Sequence, residues 1–508
     1  MEFSQVMRTA TRALDFPDEI WEQVFSEVID TKGIHGLTMC SVRLHLVGLP
    51  TLLKELRWKD SEAFLSNLGL WERALKKTLV GRDGRLSVDG SLLNYPRIIF
   101  VGDPLSRRTN YNDAFRFDEM FNLMPKFPNL TVLCFAKIQI PLRSLPSAIA
   151  GIRTLGTLIL IDVQEEPRPD NAAAPLEVDH DRVLLPPIRQ LEIQGRYSIT
   201  PLQTTLITIL TLFSLRSVEV LIVDWFAFRS IWTYVLQFGD RNFPGDIVFD
   251  LPIHSGSGAE TVKVSRPPRL SSFSLLVEGR VSWGNYAFDE PHRAARYLMQ
   301  FLGRCGNFIE QVHVRGWVGG QYGYVDPIIL PVLSDFRGPM HLLSYVRTSL
   351  SPLTWLSVSP SVYYENELVA LAARVQCLPR VVRFEIAFKS LTTNTLNSLK
   401  DLFPNLEELY IYAVQSTLCF QDMLHVGEHF LCGLGSLQVL HLYTPLRPTL
   451  ALNREQTVAL IGVWSTYTRI LREVRLSEGF YFFKRGDGRW VSARKSSGGW
   501  ENQLLYNL

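Results

Sequence analysis

Two histidines and a glutamate stand close together at residues 425–429, which read His-Val-Gly-Glu-His. Histidines four positions apart share one face of a helix, where their ring nitrogens can bind a single metal ion. The order of these residues matches a motif used in metal-dependent hydrolysis, and Cys419 and Cys432 lie nearby. The chemistry that this segment could perform is therefore hydrolysis assisted by a bound zinc ion.

The same segment also fits an ordinary helix that precedes a strand predicted at residues 437–442. The apolar residues of such a helix would be Met423, Leu424, Phe430 and Leu431. Gly427 would weaken a helix that has to hold two ligands, and no distal glutamate stands in a helix-like context. Short motifs often match by chance. We therefore assign no metal, no cofactor and no catalytic residue, and a metal-dependent hydrolase remains a remote alternative.

A second group of residues has the chemistry of binding rather than of catalysis. Alternate residues of a strand point to opposite faces of a sheet, so the residues between the buried ones form a surface. In the later strands this surface is rich in Tyr, Trp and Arg, the residue types that concentrate binding energy at interfaces. The candidate partner-binding residues are His313, Arg315, Trp355, Arg383, Glu385, Glu408, Tyr410, Tyr412, His441, Tyr443 and Arg475. The alternative is an ordinary solvated sheet face.

A short apolar pattern defines the strands that must position these residues. It reads apolar, two variable, apolar, one variable, apolar, and its last two apolar positions lie two apart, as a strand with one buried face requires. From residue 130 to residue 476 the copies begin at Leu130, Leu155, Ile188, Val218, Ser272, Ile309, Leu353, Val381, Leu406, Leu437 and Leu471. In the first copies the surface positions carry small or apolar residues rather than aromatic or charged ones: Val132, Cys134, Thr157 and Ile159.

Segments with helical periodicity lie between these strands, at residues 365–375, 394–402 and 454–470. Strands that alternate with helices predict an α/β solenoid with one parallel sheet, which we place at residues 130–479. Residues 164–187, 239–268 and 316–339 are predicted to be loops. Aromatic runs around Gly486-Asp487-Gly488 predict a hairpin at residues 480–494 that caps the last repeat, within a C-terminal segment 480–508.

The composition excludes several classes of protein. With 46% hydrophobic residues and 20% charged residues, the chain can build a large core. A formal net charge of +2 gives no reason to expect nucleic-acid binding. Six cysteines without a Cys-x-x-Cys pair fit a reducing compartment. The N-terminus lacks a secretory pattern, and the apolar residues 199–215 fit a buried helix better than a membrane span. We expect a cytoplasmic or nuclear protein without a membrane partner.

The N-terminal segment differs from the rest of the chain. Residues 1–13 are expected to be flexible, residues 14–58 have a compact helical pattern, and residues 59–129 connect it to the repeats. Pro17 suits a first helical turn, and the following acidic residues favour the positive end of the helix dipole. The apolar residues of this helix fall on one face, namely Ile20, Trp21, Val24, Phe25 and Val28. So large an apolar face indicates packing against another molecule.

Residues 14–58 resemble an F-box. The match is carried by Leu14-Asp-Phe16-Pro17-Asp-Glu-Ile20-Trp21, Val24-Phe25, Leu37, Cys40, Arg43-Leu44 and Pro50-Thr-Leu52-Leu53. The resemblance implies binding to the Skp-type adaptor of a cullin-based ubiquitin ligase. The residues that it assigns to the adaptor are Leu14, Phe16, Pro17, Ile20, Trp21, Val24, Phe25, Leu37, Leu44, Leu52 and Leu53.

The strand copies resemble leucine-rich repeats. The Asn that usually follows the strand is replaced by Ile138, Val163, Val414 or Pro445, so irregular repeats are expected. An F-box followed by degenerate leucine-rich repeats is similar to the large F-box families of fungi. The resemblance implies a substrate receptor of a ubiquitin ligase that binds an unknown protein and has no active site of its own. The alternative is an interaction scaffold without a ligase role.

Overall fold

The computed structural model of the chain forms two compact units, Met1–Val218 with Arg229–Tyr234 and Glu219–Phe228 with Val235–Leu508. The structure describes residues 17–27, 31–80, 92–102, 116–141, 144–165, 186, 188–195, 217–225, 227–228, 247–249, 262–264, 270–276, 291–305, 307–315, 327–374, 378–416, 418–443, 454–477, 480–485, 488–496 and 499–504.

Three helices open the first unit: α1 (Asp18–Glu27), α2 (Thr31–Thr38) and α3 (Val42–Lys54). Two acidic residues in the first turn of α1 complement its dipole. The hydroxyl of Ser41 accepts a hydrogen bond from the backbone N–H of Leu44 at 3.0 Å and caps α3. Phe25, Ile34 and Leu44 form a buried core between the helices. The segment therefore has a small core of its own.

A glycine lets α3 approach the other two helices closely. A Cβ atom added to Gly48 would lie 2.5 Å from Cγ2 of Thr38 and 2.8 Å from Cζ of Phe25. Such distances are far inside van der Waals contact, so a larger residue would push α3 away from the core.

Parallel strands follow α3 directly. The remaining elements of the first unit are β1 (Glu55–Trp58), α4 (Ser61–Val80), β2 (Ile98–Gly102), α5 (Phe117–Leu123), β3 (Val132–Ala136), β4 (Gln139–Ile140), α6 (Leu145–Ala150), β5 (Thr157–Ile161), β6 (Gln164–Glu165) and β7 (Gln190–Gln194). The strands β1, β2, β3, β5 and β7 pair in that order and are all parallel, and β4 pairs with β6. Matched in register, one buried residue of each main strand forms a core row: Leu56, Ile99, Leu133, Leu158 and Leu191.

The positions of the first two strands contradict two predictions. Residues 14–58 are not wholly helical, because β1 ends this segment, and the sheet predicted to start near residue 130 already contains β2 within residues 59–129, which were expected to connect to and enter the repeats. Both strands carry the apolar spacing of the later copies, as Leu53-Leu56-Trp58 and Pro96-Ile99-Val101. The sheet thus begins at Glu55 rather than near residue 130.

The second unit continues the alternation of strands and helices. Its elements are β8 (Val220–Asp224), β9 (Ile247–Phe249), β10 (Val262–Val264), β11 (Ser272–Leu276), α7 (Pro291–Cys305), β12 (Gln311–Arg315), β13 (Asp335–Arg337), α8 (Met340–Leu343), β14 (Trp355–Tyr363), α9 (Glu365–Arg374), β15 (Arg383–Leu391), α10 (Thr393–Leu402), β16 (Glu408–Ser416), α11 (Phe420–His429), β17 (Val439–Tyr443), α12 (Arg454–Tyr467), β18 (Glu473–Ser477), β19 (Phe480–Lys484), β20 (Trp490–Ser496) and β21 (Gly499–Leu504).

These strands form a mostly parallel sheet. From β8 through β11 to β18 each strand pairs in parallel with the next, whereas β19, β20 and β21 add antiparallel strands at the end, and β9 pairs with β10 separately. Register again aligns a core row, of which each residue is at most 1% exposed: Leu221, Phe273, Val312, Phe336, Leu356, Phe384, Leu409, Leu440 and Val474. Burying this row supplies much of the driving force for the fold.

The predicted α/β class and all eleven predicted strands are confirmed. The helices predicted at 365–375, 394–402 and 454–470 are found as α9, α10 and α12. The C-terminal strands predicted for the hairpin are found as β19 and β20, and β19 pairs antiparallel with β18. None of the helices in the described ranges combines the length and apolarity needed to cross a membrane.

Two predictions in the second unit were wrong. The copy placed at Ser272 is shifted by two residues, because the buried positions are Leu270, Phe273 and Leu275. The loop predicted at residues 316–339 contains β13, whose third apolar slot is Gly338, so its pattern is incomplete. A Cβ there would lie 3.2 Å from Cβ of Val314, which explains the small residue.

Several other predictions concern residues that are described only in part. The loop predicted at 239–268 contains the paired strands β9 and β10. The helix predicted at 199–215, most of the loop 164–187 and the flexible residues 1–13 lie outside the described residues.

Candidate functional site

On seven neighbouring strands, β12 to β18, the face opposite to the core row carries mainly aromatic and charged side chains, which register arranges in adjacent rows. We call this set of side chains the polar strip. It consists of His313, Asp335, Arg337, Trp355, Arg383, Glu385, Glu408, Tyr410, Tyr412, His441, Tyr443, Glu473 and Arg475. The strip arises because parallel pairing in constant register places alternate residues of successive strands side by side.

Asp335 anchors the first end of the strip. Its Oδ2 lies 3.3 Å from Nε2 of His313 and 3.0 Å from Nη2 of Arg337, and its Oδ1 accepts from Nε of Arg337 at 3.2 Å. Burial raises the pKa of the Asp335 carboxyl, but the hydrogen bonds and positive charges of His313 and Arg337 outweigh burial and lower the pKa below its usual value. The carboxylate therefore stays ionised and holds both neighbours.

Trp355 lies between two guanidinium groups. Cζ of Arg337 is 3.5 Å from the centre of the indole ring and Cζ of Arg383 is 4.1 Å from it, one from each neighbouring strand. Each cation–π contact of this kind contributes about 0.5–2 kcal/mol. Nε of Arg383 also lies 3.3 Å from Oε2 of Glu408. The indole ring is thus held in one orientation.

The centre of the strip is a chain of polar contacts. The hydroxyl of Tyr410 donates to Oε2 of Glu408 at 2.9 Å, and the Tyr410 ring packs edge-on against His441, with centroids 4.8 Å apart. Nε2 of His441 lies 2.6 Å from Oε1 of Glu473. That hydrogen bond lowers the pKa of Glu473 despite partial burial, whereas burial and the bond to Glu408 raise the pKa of Tyr410.

The far end of the strip presents aromatic rings to solvent. The rings of Tyr412 and Tyr443 stack with centroids 4.9 Å apart and an angle of 2° between their planes, and Cζ of Arg475 lies 4.8 Å from the Tyr443 ring. Burial, followed by the charge of Glu385, raises the pKa of Tyr412. The phenol of Tyr412 therefore remains neutral at physiological pH, and its side chain is exposed.

The structure brings most of the predicted partner-binding residues together. Arg315 is exposed at the end of β12, and no contact recorded among the described residues joins it to the strip. His441 is buried, so it supports its neighbours from beneath. Sequence reasoning missed Asp335 and Arg337 because β13 was predicted to be loop; the partial signal was Leu333 followed three residues later by Phe336.

The predicted adaptor-binding residues separate by burial. Pro17, Ile20 and Val24 are exposed. Those that are partly buried are Trp21, Leu37, Leu52 and Leu53. Phe25 and Leu44 are buried against Ile34, so they hold the helices together and are not accessible to a partner. Leu14 and Phe16 lie outside the described residues. Two exposed apolar residues were not predicted, Met39 and Leu46.

The centre of the corresponding face in the first unit carries small or apolar side chains rather than aromatic or charged ones. Val132, Thr157 and Ile159 are half-buried, and Cys134 is only 2% exposed. Burial, followed by the charge of Glu192, raises the pKa of the Cys134 thiol to about 12, so the thiol is inert.

The histidine motif lies on the exposed side of α11. Within the described part of the chain, one group of three potential metal ligands is found: His425, Glu428 and His429, with their ligand atoms within 4.8 Å of one another. Nδ1 of His425 lies 3.8 Å from Oε2 of Glu428.

No protein-family model matches the chain, and no similar sequence was found among the curated proteins.

Proposed function

We propose that the chain is the substrate receptor of a Skp–cullin–F-box type ubiquitin ligase. The observation that carries the proposal is a pair of exposed apolar side chains on α1, in a segment whose sequence resembles an F-box. Ile20 is 44% exposed and Val24 is 37% exposed, although they belong to a helix that also contributes Phe25 to a core. An adaptor that covers them would remove this apolar surface from water.

The architecture of the three helices supports the same proposal. The guanidinium group of Arg43 at the start of α3 binds the carboxylate of Asp18 at the start of α1, with 2.7 Å between Nη2 and Oδ1. The core around Phe25 joins the helices, and this exposed ion pair adds a weak contact between them. A preformed surface loses less entropy on binding than a mobile one, so a rigid helical segment suits a stable subunit contact.

The polar strip is the surface that we assign to the substrate protein. It combines Trp, Tyr and Arg side chains, which dominate binding energies at interfaces. Contacts along the strip hold these side chains in place before any partner arrives, so little side-chain entropy remains to be lost. Because most of its charges are already paired, the strip favours a partner that is recognised by shape and aromatic contact more than by net charge.

The adaptor contact can be tested with purified components. The double variant Ile20→Asp, Val24→Asp should lose binding to a purified Skp-type adaptor, because two charges would have to be buried without partners. Leu65→Asp is the matched control, since Leu65 on α4 is 38% exposed and should tolerate the same change. Binding would be measured by calorimetry on the full chain, with circular dichroism to confirm folding.

Two outcomes would overturn the proposal: a wild-type chain that does not bind the adaptor, or a folded double variant that binds as tightly as the control. The scaffold alternative needs a second assay. If the chain joins adaptor and cullin but no ubiquitin reaches a protein crosslinked to the strip, the chain is a scaffold and not a receptor.

The substrate surface can be tested with the stacked tyrosines at the far end of the strip, of which Tyr412 is exposed and Tyr443 is half-buried. Tyr412→Ala with Tyr443→Ala should remove contacts worth over about 2 kcal/mol if these rings are hot spots. Val132→Ser with Thr157→Ala serves as the control on the face of the first unit. Proteins crosslinked to each variant would be compared by mass spectrometry. Loss of a partner from the control pair alone would show that the strip is not the substrate surface.

A further inference from the structure

Three metal-ligand side chains share the outer face of α11, a helix that belongs to neither proposed interface. His425 and His429 lie four residues apart, so their rings are neighbours with centroids 6.0 Å apart, and Glu428 completes the group. The buried residues of α11 are Met423, Val426 and Gly427. The three ligand side chains therefore project away from the core.

Gly427 is explained by packing rather than by helix weakness. A Cβ atom at this position would lie 2.9 Å from Cδ1 of Trp464 and 3.1 Å from Cδ2 of Tyr467, both on α12. The glycine therefore lets α11 pack closely against these two side chains of α12. The objection that Gly427 would prevent a stable ligand-bearing helix therefore does not hold.

Contacts at both ends fix the backbone that carries the ligands. At the start of α11, the carboxylate of Asp422 accepts from the backbone N–H of Cys419 at 2.8 Å. In the middle, Nε1 of Trp464 donates to the carbonyl of Met423 at 2.8 Å, and at the end Nζ of Lys400 donates to the carbonyl of His429 at 3.0 Å. A fixed backbone means that only side-chain rotation is needed to close the group on an ion.

We infer that His425, Glu428 and His429 form a binding site for a divalent transition-metal ion. Two imidazole nitrogens and one carboxylate oxygen are ligands that suit zinc, nickel and copper. A tetrahedral ion with ligands at about 2.0–2.1 Å holds them about 3.3 Å apart, so the present separations of up to 4.8 Å close by rotation of exposed side chains.

The site is built to bind rather than to catalyse. All three side chains are exposed, with His425 60% and Glu428 57% open to solvent, whereas hydrolytic metal sites work in a shaped cavity from which water is excluded. Three protein ligands leave at least one coordination position open. That position can take water, or a side chain from another protein that docks on the outer face of α11.

Nickel is the best probe, because exposed thiols such as Cys40, Cys419 and Cys432 compete more strongly for zinc. Titration calorimetry of the full chain with Ni²⁺ should show one saturable site. His425→Gln and His429→Gln should each weaken it by at least the roughly 10–100-fold that loss of an outer partner costs in known sites. Glu428→Gln should weaken it less, because two imidazoles remain.

His45→Gln is the matched control, since His45 is an exposed histidine on α3 outside the group, and it should leave the affinity unchanged. These substitutions change exposed side chains, so circular dichroism should not move. A wild-type chain without saturable Ni²⁺ binding would overturn the inference, and so would a His425→Gln variant that binds as tightly as wild type. Neither outcome affects the test of adaptor binding.

Discussion

The two units place very different side chains on equivalent sheet faces. In the first unit this face is apolar at its centre, with Val132 and Cys134 on β3 and Ile159 on β5, and its charged residues Arg57 and Glu192 lie on the outer strands β1 and β7. In the second unit the equivalent row is the polar strip. Both units nevertheless bury the same kind of aliphatic and aromatic core row. The comparison teaches that in a parallel sheet one row maintains the fold, which leaves the alternate row free to specialise.

The polar strip tolerates charge because its members neutralise one another. An unpaired buried charge costs several kcal/mol, whereas a paired and hydrogen-bonded one costs far less. The carboxylate of Asp335 contacts both His313 and Arg337, and that of Glu473 contacts His441. The contacts run from strand to strand, so the strip depends on the register of the whole sheet.

The largest expected difference between the two faces concerns Asp335. Asp335→Ala would leave His313 and Arg337 without their shared carboxylate and should destabilise β12–β14 by about 2–3 kcal/mol, slightly below the roughly 3–5 kcal/mol of a fully buried pair. Hydrogen exchange of the backbone amides in β12–β14 would report the loss.

Thr157→Ala on the face of the first unit provides the comparison. It removes a hydroxyl from the less polar face and should lower the free energy of unfolding by no more than about 0.5 kcal/mol. If the two variants lowered the protection factors of the neighbouring strands equally, the side chains of the strip would depend on one another no more than those on the face of the first unit.

The second expected difference concerns acid. Asp335 and Glu473 have pKa values below the usual carboxyl range, so their contribution to stability is present above the unfolded values of about 4 and is lost as the pH falls through the lower folded values. Glu192 in the first unit behaves oppositely. Burial raises its pKa, so the folded state takes up its proton first and gains stability as the pH falls through that raised value.

Neutral variants separate these two contributions. Asp335→Asn with Glu473→Gln should flatten the loss of unfolding free energy between pH 6 and pH 3 in urea titrations. Glu192→Gln should make the same loss steeper, because it removes the opposing contribution. The loss of unfolding free energy caused by Asp335→Asn with Glu473→Gln should be smaller than that caused by Asp335→Ala, because the amide side chains keep some of the hydrogen bonds. A change of the same sign in both variants would contradict the assigned pKa directions.

A third, smaller difference is expected between cross-strand pairs. The stacked rings of Tyr412 and Tyr443, with Arg475 over the second, should show a coupling of about 1 kcal/mol in a double-mutant cycle to alanine. The cross-strand pair Val132 and Thr157 should couple by about 0.3 kcal/mol. Urea unfolding of the four variants of each cycle measures both numbers. Equal couplings would show that stacking adds nothing to the strip.

The fold could be predicted where each repeat shows its full apolar spacing. A period of two is set by the geometry of a strand, so a complete copy identifies both the strand and its buried face. The prediction failed where packing replaced an apolar residue. Gly338 fills the third slot of β13, where a Cβ atom would lie 3.2 Å from Cβ of Val314 and make a tight contact; because this copy was not recognised, two residues of the strip were not predicted.

The candidate site could be predicted only in outline. Alternation shows which side chains leave the core, and it placed Trp355, Tyr410 and Tyr443 on one face. It carries no information on pairing across strands, because the partners are far apart in the chain, as for Asp335 and His313 at a separation of 22. The sequence also could not show which apolar residues of the small helical segment are buried. Phe25 and Val24 are both apolar, but Phe25 is buried and Val24 is exposed.

The smallest expected effect is the reactivity of the Cys134 thiol, which tests whether the sheet face of the first unit stays closed in the native protein. A pKa of about 12 leaves about one thiol in ten thousand ionised at pH 8, and the side chain is 2% exposed. Iodoacetamide should therefore modify Cys40, Cys419 and Cys432 in the native protein but reach Cys134 only after denaturation. Peptide mapping before and after urea treatment measures this. If Cys134 reacted as fast as Cys40 in the native chain, the sheet of the first unit would open readily, and its apolar face could then serve as a binding surface in place of the polar strip.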